Sequence, residues 1–131
     1  MTWRAGRVRA PFLAIACILA GTVATVAAVG QAKRDFGVTA VKYSFRITGS
    51  DRAVIQVTQD DLLRIELVSE DIPHSFTLPD YRIQKRVEPG REVVFEFRAE
   101  KAGRFEFFCS LTNDQCRQRG MVGILIVDPK P

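Results

Sequence analysis

Four side chains in this sequence have the chemistry to hold a metal ion together. Three lie in "FFCSLTNDQCRQRGMVG", residues 107–123: Cys109, Cys116 and Met121. The fourth is His74, the only histidine in the chain, in "EDIPHSFTLPDY". One imidazole, two thiolates and a thioether form a soft, sulfur-rich donor set, well suited to Cu(I) and tolerable for Zn(II). Both thiols must lose their protons to bind, which a cation between them favours. A plainer reading stands beside this one. In an oxidising compartment two cysteines usually become a disulfide, a lone histidine is half-exposed, and a methionine heading "MVGILIV" fills the core. Asp114 is a possible oxygen ligand in the same loop, although such a residue is more often a solvated turn carboxylate. Cys109 with His74 makes a poor nucleophilic pair. It lacks a third orienting group, and a strand-end cysteine is shielded, so no enzymatic role is expected.

Strands must position these groups. In "VKYSFRI", Val41, Tyr43, Phe45 and Ile47 fall on one face, and Lys42, Ser44 and Arg46 on the other. The segments "RAVIQVT", "LLRIELV", "VVFEFRA" and "RFEFFCS" alternate in the same way, and "GILIV" closes the set. Turn signals separate them: "TGSD", "TQDD", "EPGRE" and "EKAGR". In "EPGRE", Pro89 pre-sets the first central position and Gly90 takes positive φ at the second. Six or seven short strands without a sustained helical period predict an antiparallel β-sandwich. In "RFEFFCS", Cys109 has the parity of Phe105 and Phe107, so it points inward where the strand opens into its loop. Before His74, Pro73 confines Ile72 to an extended conformation. The stretch "QAKRDFG" reads as a polar linker.

The first thirty residues differ in kind. Arg4, Arg7 and Arg9 precede the uncharged run "APFLAIACILAGTVATVAAVG", residues 10–30. A positive n-region before an apolar run is an export signal. Residues 1–32 are therefore expected to be a signal peptide or an N-terminal membrane anchor, and the length favours an uncleaved anchor. Residues 33–131 form the domain, held outside the cytoplasm: periplasmic, and tethered to the inner membrane if the leader stays. Cys17 lies in the apolar run, which leaves two cysteines to the domain. The net charge is +4 from 19 basic and 15 acidic residues. Setting aside the three leader arginines leaves 16 against 15, and no basic cluster is interleaved with aromatics, which excludes a nucleic-acid partner. Arg117 and Arg119 beside the loop read as surface charge rather than a docking face.

From Val41 to Val127 the chain resembles the cupredoxins, and especially the copper domain of cytochrome c oxidase subunit II. The matching pieces are "DIPHSFTLPDY", "EPGREVVFEF", "AEKAGRFEFFCS" and "GMVGILIV". The resemblance implies an all-β Greek-key β-sandwich (cupredoxin-like), preceded here by an N-terminal apolar helix, with copper at one end. His74 matches the family's first histidine ligand, Cys109 its cysteine at the strand end, and Met121 the methionine that closes the ligand loop. Cys116 stands where the second histidine would be. The spacing C-x6-C-x4-M departs from the C-x3-C-x3-H-x2-M of the dinuclear oxidase site, and Asn113 takes the place of its second cysteine. One histidine supplies neither the two imidazoles of a blue copper site nor a terminal nitrogen for each metal of a dinuclear one. The resemblance thus implies one copper ion on His74, Cys109 and Cys116, with Met121 as a weaker fourth ligand. It implies one-electron transfer with a redox partner protein. Two alternatives stay open: a periplasmic Cu(I) carrier serving a copper-accepting protein, and a metal-free sandwich with a Cys109–Cys116 disulfide that acts in binding.

Overall fold

The structure, a computed structural model, describes residues 32–131 together with Thr2 and Gly6. The apolar run at 10–30, and with it the choice between signal peptide and anchor, lies outside the described residues. Among those residues no helix is long and apolar enough to cross a membrane.

Among the described residues nine strands follow one another: β1 (Lys33–Val41), β2 (Ser44–Ile47), β3 (Val54–Thr58), β4 (Leu62–Ser69), β5 (His74–Leu78), β6 (Ile83–Val87), β7 (Glu92–Arg98), β8 (Gly103–Phe108) and β9 (Val122–Asp128). They form a four-stranded sheet in the order β2-β1-β4-β7 and a five-stranded sheet in the order β3-β9-β8-β5-β6. One face of each sheet meets the other. Val38, Ala40, Phe45, Ile47, Leu63, Ile65 and Leu67 come from the first sheet and Ile55, Phe76, Leu78, Phe107 and Leu125 from the second, in one buried cluster. The alternation in the sequence is therefore the alternation of the strands, apolar inward and polar outward. The Greek-key β-sandwich expectation holds for the described residues.

Three details differ from the expectation. The segment "VKYSFRI" is not one strand. Val41 ends β1 and Ser44 begins β2, with the chain turning through Lys42 and Tyr43, whose peptide bond is cis. The polar "QAKRDFG" is no linker either, since β1 starts at Lys33 and pairs with β4 from Lys33↔Leu62 to Ala40↔Ser69. Its first residues, Lys33 to Asp35, lie exposed. They are held by the backbone ladder and carry no apolar pattern to betray it. Finally, the sheets are mixed rather than antiparallel, because β1 runs parallel to β4 and β3 parallel to β9. Both parallel pairs join strands separated by a crossover to the other sheet, a feature that local periodicity does not encode.

One turn and one close approach complete the frame. Arg91 N donates to Glu88 O at 3.2 Å, with Gly90 at φ +76°, as "EPGRE" predicts. In the core Phe45, Phe76 and Phe107 meet with ring centroids 4.6–6.1 Å apart. Phe107 needs a glycine opposite it in the ladder, Gly123. A Cβ at Gly123 would lie 2.1 Å from the Phe107 ring, so nothing larger fits without moving the ring.

Candidate metal centre

His74 is the first residue of β5 and shares the inward parity of Phe76 and Leu78. It is fully buried. The turn before it, Glu70–Pro73, carries the chain from the four-stranded sheet to the five-stranded one. Asp71 organises that turn. Its Oδ1 accepts from Ile72 N at 2.7 Å and lies 2.6 Å from His74 Nε2, while its Oδ2 accepts from Lys42 N at 2.7 Å. Burial alone would raise the Asp71 carboxyl. The donors Lys42 N, Ile72 N and the His74 ring outweigh it and hold the group below the usual carboxylate range. A carboxylate has no proton to offer, so the short contact places the hydrogen on His74 Nε2. In the neutral ring the other nitrogen, Nδ1, then carries the free lone pair. It is buried and has no hydrogen-bond partner.

Cys109 follows β8 directly and keeps the inward parity of Phe107. It is held from two sides. Its N–H donates to Met121 O at 3.2 Å. On the outer face, Ser110 N donates to Ser75 Oγ at 2.7 Å, and the Ser75, Thr77 and Ser110 hydroxyls lie 2.8–3.3 Å from one another. This hydroxyl cluster links β5 to the end of β8 where their ladder supplies only the pair Thr77↔Phe108. The loop then winds through turns at 112–120, with Gln115 at φ +49° and Gly120 at φ +100°. Arg119 N donates to Gln115 O, and Met121 N donates to Cys116 O at 3.0 Å. Outside, Arg117 pairs with Glu106 at 2.8 Å and stacks over Phe108, and Arg119 lies over the Tyr43 ring. Both arginines serve to pin the loop to the sandwich.

The winding brings Cys116 back to Cys109, and the two are joined as a disulfide with Cα atoms 5.9 Å apart. Cys109, Cys116 and Met121 are all buried. His74 and Cys116 line one small cavity of about 90 Å³ at this end of the sandwich, together with Ile72, Pro73, Leu111 and Asp114. Met121 is tied to both cysteines by its backbone, and its side chain packs in the core at the head of β9. Asp114 Oδ2, like His74 Nδ1, is buried without a partner. Among the described residues no three His, Cys, Asp or Glu side chains are gathered as a metal-binding group.

The match to known proteins covers the same elements. The model of the cupredoxin-like domain family fits residues 13–127. This chain belongs to that family. Solved structures with the cupredoxin fold align at low identity. A chain of a heme-copper terminal oxidase dimer aligns with a TM-score of 0.67 at 18% identity, covering 76% of this chain and 66% of its own. The periplasmic domain of cytochrome oxidase subunit II from Bradyrhizobium japonicum aligns with a TM-score of 0.61 at 18% identity, covering 78% of this chain and 88% of its own. Subunit II of cytochrome c oxidase in a mixed disulfide with a thioredoxin-like protein aligns with a TM-score of 0.59 at 19% identity, covering 80% and 88%. At such identities the likeness is one of fold.

Cupredoxin-like chains generally carry copper, and the donors here fit it in one redox state of the cysteines. With the disulfide closed, no thiolate is available, and the soft set shrinks to His74 Nδ1 and the Met121 thioether. With it open, four donors return. The bare Nδ1, backed by a carboxylate on Nε2, matches the outer-shell support that metal-bound histidines usually have. Sequence reasoning missed Asp71 and the Ser75–Ser110 cluster. Asp71 had a signal in its position three residues before the histidine, on the same turn. Ser75 had none, since its role appears only once β5 and β8 are adjacent.

Proposed function

We propose that this protein is an exported copper protein of the cupredoxin type whose ligand loop is opened and closed by thiol–disulfide chemistry. His74 Nδ1, Cys109 Sγ, Cys116 Sγ and, more weakly, Met121 Sδ hold one copper ion in the dithiol form. The ion supplies one-electron redox chemistry when bound. The protein's own share is to fix the imidazole through Asp71, to keep water from the sulfurs by burying them, and to hold the loop ends against a rigid sandwich, which lowers reorganisation between oxidation states. The observation that carries the reading is the buried, unpartnered His74 Nδ1 on a cavity shared with Cys116.

The partner in this reading is a redox protein outside the cytoplasm, placed there by the leader expected at residues 1–32. The mixed disulfide between a thioredoxin-like protein and subunit II of cytochrome c oxidase supports a partner that reduces Cys109–Cys116 before loading. A Cu(I) carrier that passes its ion to a copper-accepting protein uses the same residues. The closed disulfide favours a second reading in which the domain works without metal as a binding module.

Metal analysis of the reduced protein decides among them, with thiols counted before and after loading. One copper bound, with both thiols protected, is the expected result. A reversible potential with fast self-exchange then marks electron transfer, and tight Cu(I) binding with little affinity for Cu(II) marks the carrier. An ordinary blue absorption band would contradict the ligand set, since two thiolates and one imidazole differ from the blue site. No uptake after full reduction would leave the metal-free reading.

A further inference from the structure

The two sulfurs of the disulfide are not equivalent. Cys109 is fixed at the end of β8: its N–H donates to Met121 O at 3.2 Å, and the adjacent Ser110 N donates to Ser75 Oγ at 2.7 Å. Its side chain keeps the inward parity of Phe107. Cys116 lies in the turns at 112–120, which join no strand ladder. Cys116 borders the cavity of about 90 Å³ between the loop and the 70–73 turn, and Cys109 does not. Cys109 lies instead under an open groove of about 370 Å³, with Phe108, Ser110 and Gln118. Because its side chain turns to the core, that groove meets its backbone. A second difference is electrostatic. Cys116 Sγ lies 3.3 Å from Cys109 O and 3.4 Å from Leu111 O. A sulfur that leaves a disulfide takes the electron pair of the broken bond. On Cys116 that charge would face two carbonyl oxygens, so in the closed loop Cys116 is the poorer leaving sulfur.

We propose that an incoming thiol attacks Cys116 and that Cys109 is the sulfur that leaves. The inference rests on the thiol–disulfide step of the reading above and not on its metal. The reductant is a dithiol protein. Its first thiolate bonds to Cys116 Sγ as the Cys109–Cys116 bond breaks, and the electron pair passes to Cys109 Sγ, which takes a proton from water. The reductant's second thiolate then attacks its own sulfur in the mixed disulfide, and the pair passes to Cys116 Sγ. In the mixed disulfide the loop is lifted, so this departure does not face the two carbonyls. Cys116 takes a proton, and when the loop closes its S–H donates to Cys109 O and Leu111 O, a role that only the thiol can fill. The reductant leaves with one disulfide, and the chain keeps two thiols. The loop thus carries the reactive cysteine, and the strand end carries the one that is released.

The test uses the full chain with the disulfide closed and reduced glutathione as a monothiol probe, quenched at early times with N-ethylmaleimide. Cleavage before Asp114 separates Cys109 from Cys116, and cleavage before Asp35 puts Cys17 in a third peptide. Mass spectrometry should find glutathione on Cys116 and maleimide on Cys109, in several-fold excess over the reverse when extrapolated to zero time. Glutathione on Cys109, equal amounts on both, or no adduct on either would overturn the proposal. Single-cysteine proteins give a second measurement. With Cys17→Ser in both, Cys109→Ser should react with oxidised glutathione through its remaining Cys116 several-fold faster than Cys116→Ser does through its remaining Cys109. Equal or reversed rates would also overturn it. Neither measurement involves copper, so a failure here leaves the metal reading standing, and a chain that takes up no copper leaves both results readable.

Discussion

Since His74 is the chain's only histidine, its two ring nitrogens give isolated ¹⁵N resonances, and the part played by Asp71 can be read without any metal. The 2.6 Å contact predicts the Nε2–H tautomer in the native protein. Asp71→Ala should shift the ring toward a mixture of tautomers and weaken copper binding to the reduced protein by about 10–100-fold. An unchanged ¹⁵N pattern would refute the role. Asp71 also predicts a pH effect whose sign is fixed. Its folded pKa lies below the unfolded one, because three donors outweigh the effect of burial. The stability it contributes is therefore fully present above the ordinary carboxylate pKa of about 3.9 and is lost as pH falls through the folded value. Urea unfolding of the parent and Asp71→Asn should differ at pH 7, and the difference should shrink only once the pH falls below the ordinary carboxylate range. The four residues with ligand chemistry were legible from type and spacing alone. Their pairing was not, because a disulfide and a dithiol site use the same letters. Asp114 was legible as a carboxylate in the loop, but the enclosure of its Oδ2 was not, since that depends on how the loop folds back over the sheet.

At the scale of elements, the end of β8 is the critical structure. Phe107 sets the position of Cys109 two residues later, and Gly123 sets the position of Phe107. Gly123→Ala inserts a methyl group 2.1 Å from the Phe107 ring, so the ring or the β8–β9 ladder must move. The expected cost is about 1–3 kcal/mol in urea unfolding, accompanied by faster reaction of Cys109 with thiol reagents after reduction. A variant as stable as the parent would mean that the core absorbs the methyl elsewhere. The alternating strands β3, β4, β7, β8 and β9 were readable because each buries one face. Strand β1 was not, as its N-terminal half lies exposed at Lys33 to Asp35 and is ordered by its ladder to β4 and by ion pairs of Lys33 with Glu96 and Arg34 with Asp61. The β5 segment "HSFTL" escaped for the opposite reason. Four of its five residues are buried, so period-two alternation is lost, and the polar His74 and Ser75 hide a buried strand.

For the whole molecule, the sandwich fixes what redox chemistry at its end can do. Its loops at 42–43, 70–73 and 109–121 converge there, joined by Lys42 N to Asp71 and by Arg119 over Tyr43, with the disulfide closing the last of them on itself. Closing a ring of this size contributes about 2–3 kcal/mol by restricting the unfolded chain, and Cys109→Ser/Cys116→Ser should lose that amount. The two cysteines are 0% and 1% exposed, which has a kinetic consequence. A thiolate must reach a disulfide sulfur to attack it, so reduction waits for the 110–120 loop to lift. That loop is anchored at its start by Ser110 to Ser75 and Thr77 and beyond it by Arg117 to Glu106 and Arg119 over Tyr43, with no ladder to either sheet from 112 to 120, so it should open locally, at a free energy below that of global unfolding. Reduction by a small dithiol should then be slow in the native protein and reach a plateau as dithiol concentration rises, once opening limits the rate. Arg117→Ala with Arg119→Ala should raise that plateau several-fold while leaving the urea midpoint nearly unchanged, because surface pairs contribute about 0–1 kcal/mol. A rate that rises in proportion to dithiol without limit would place the disulfide within direct reach and remove the loop as the gate to the centre.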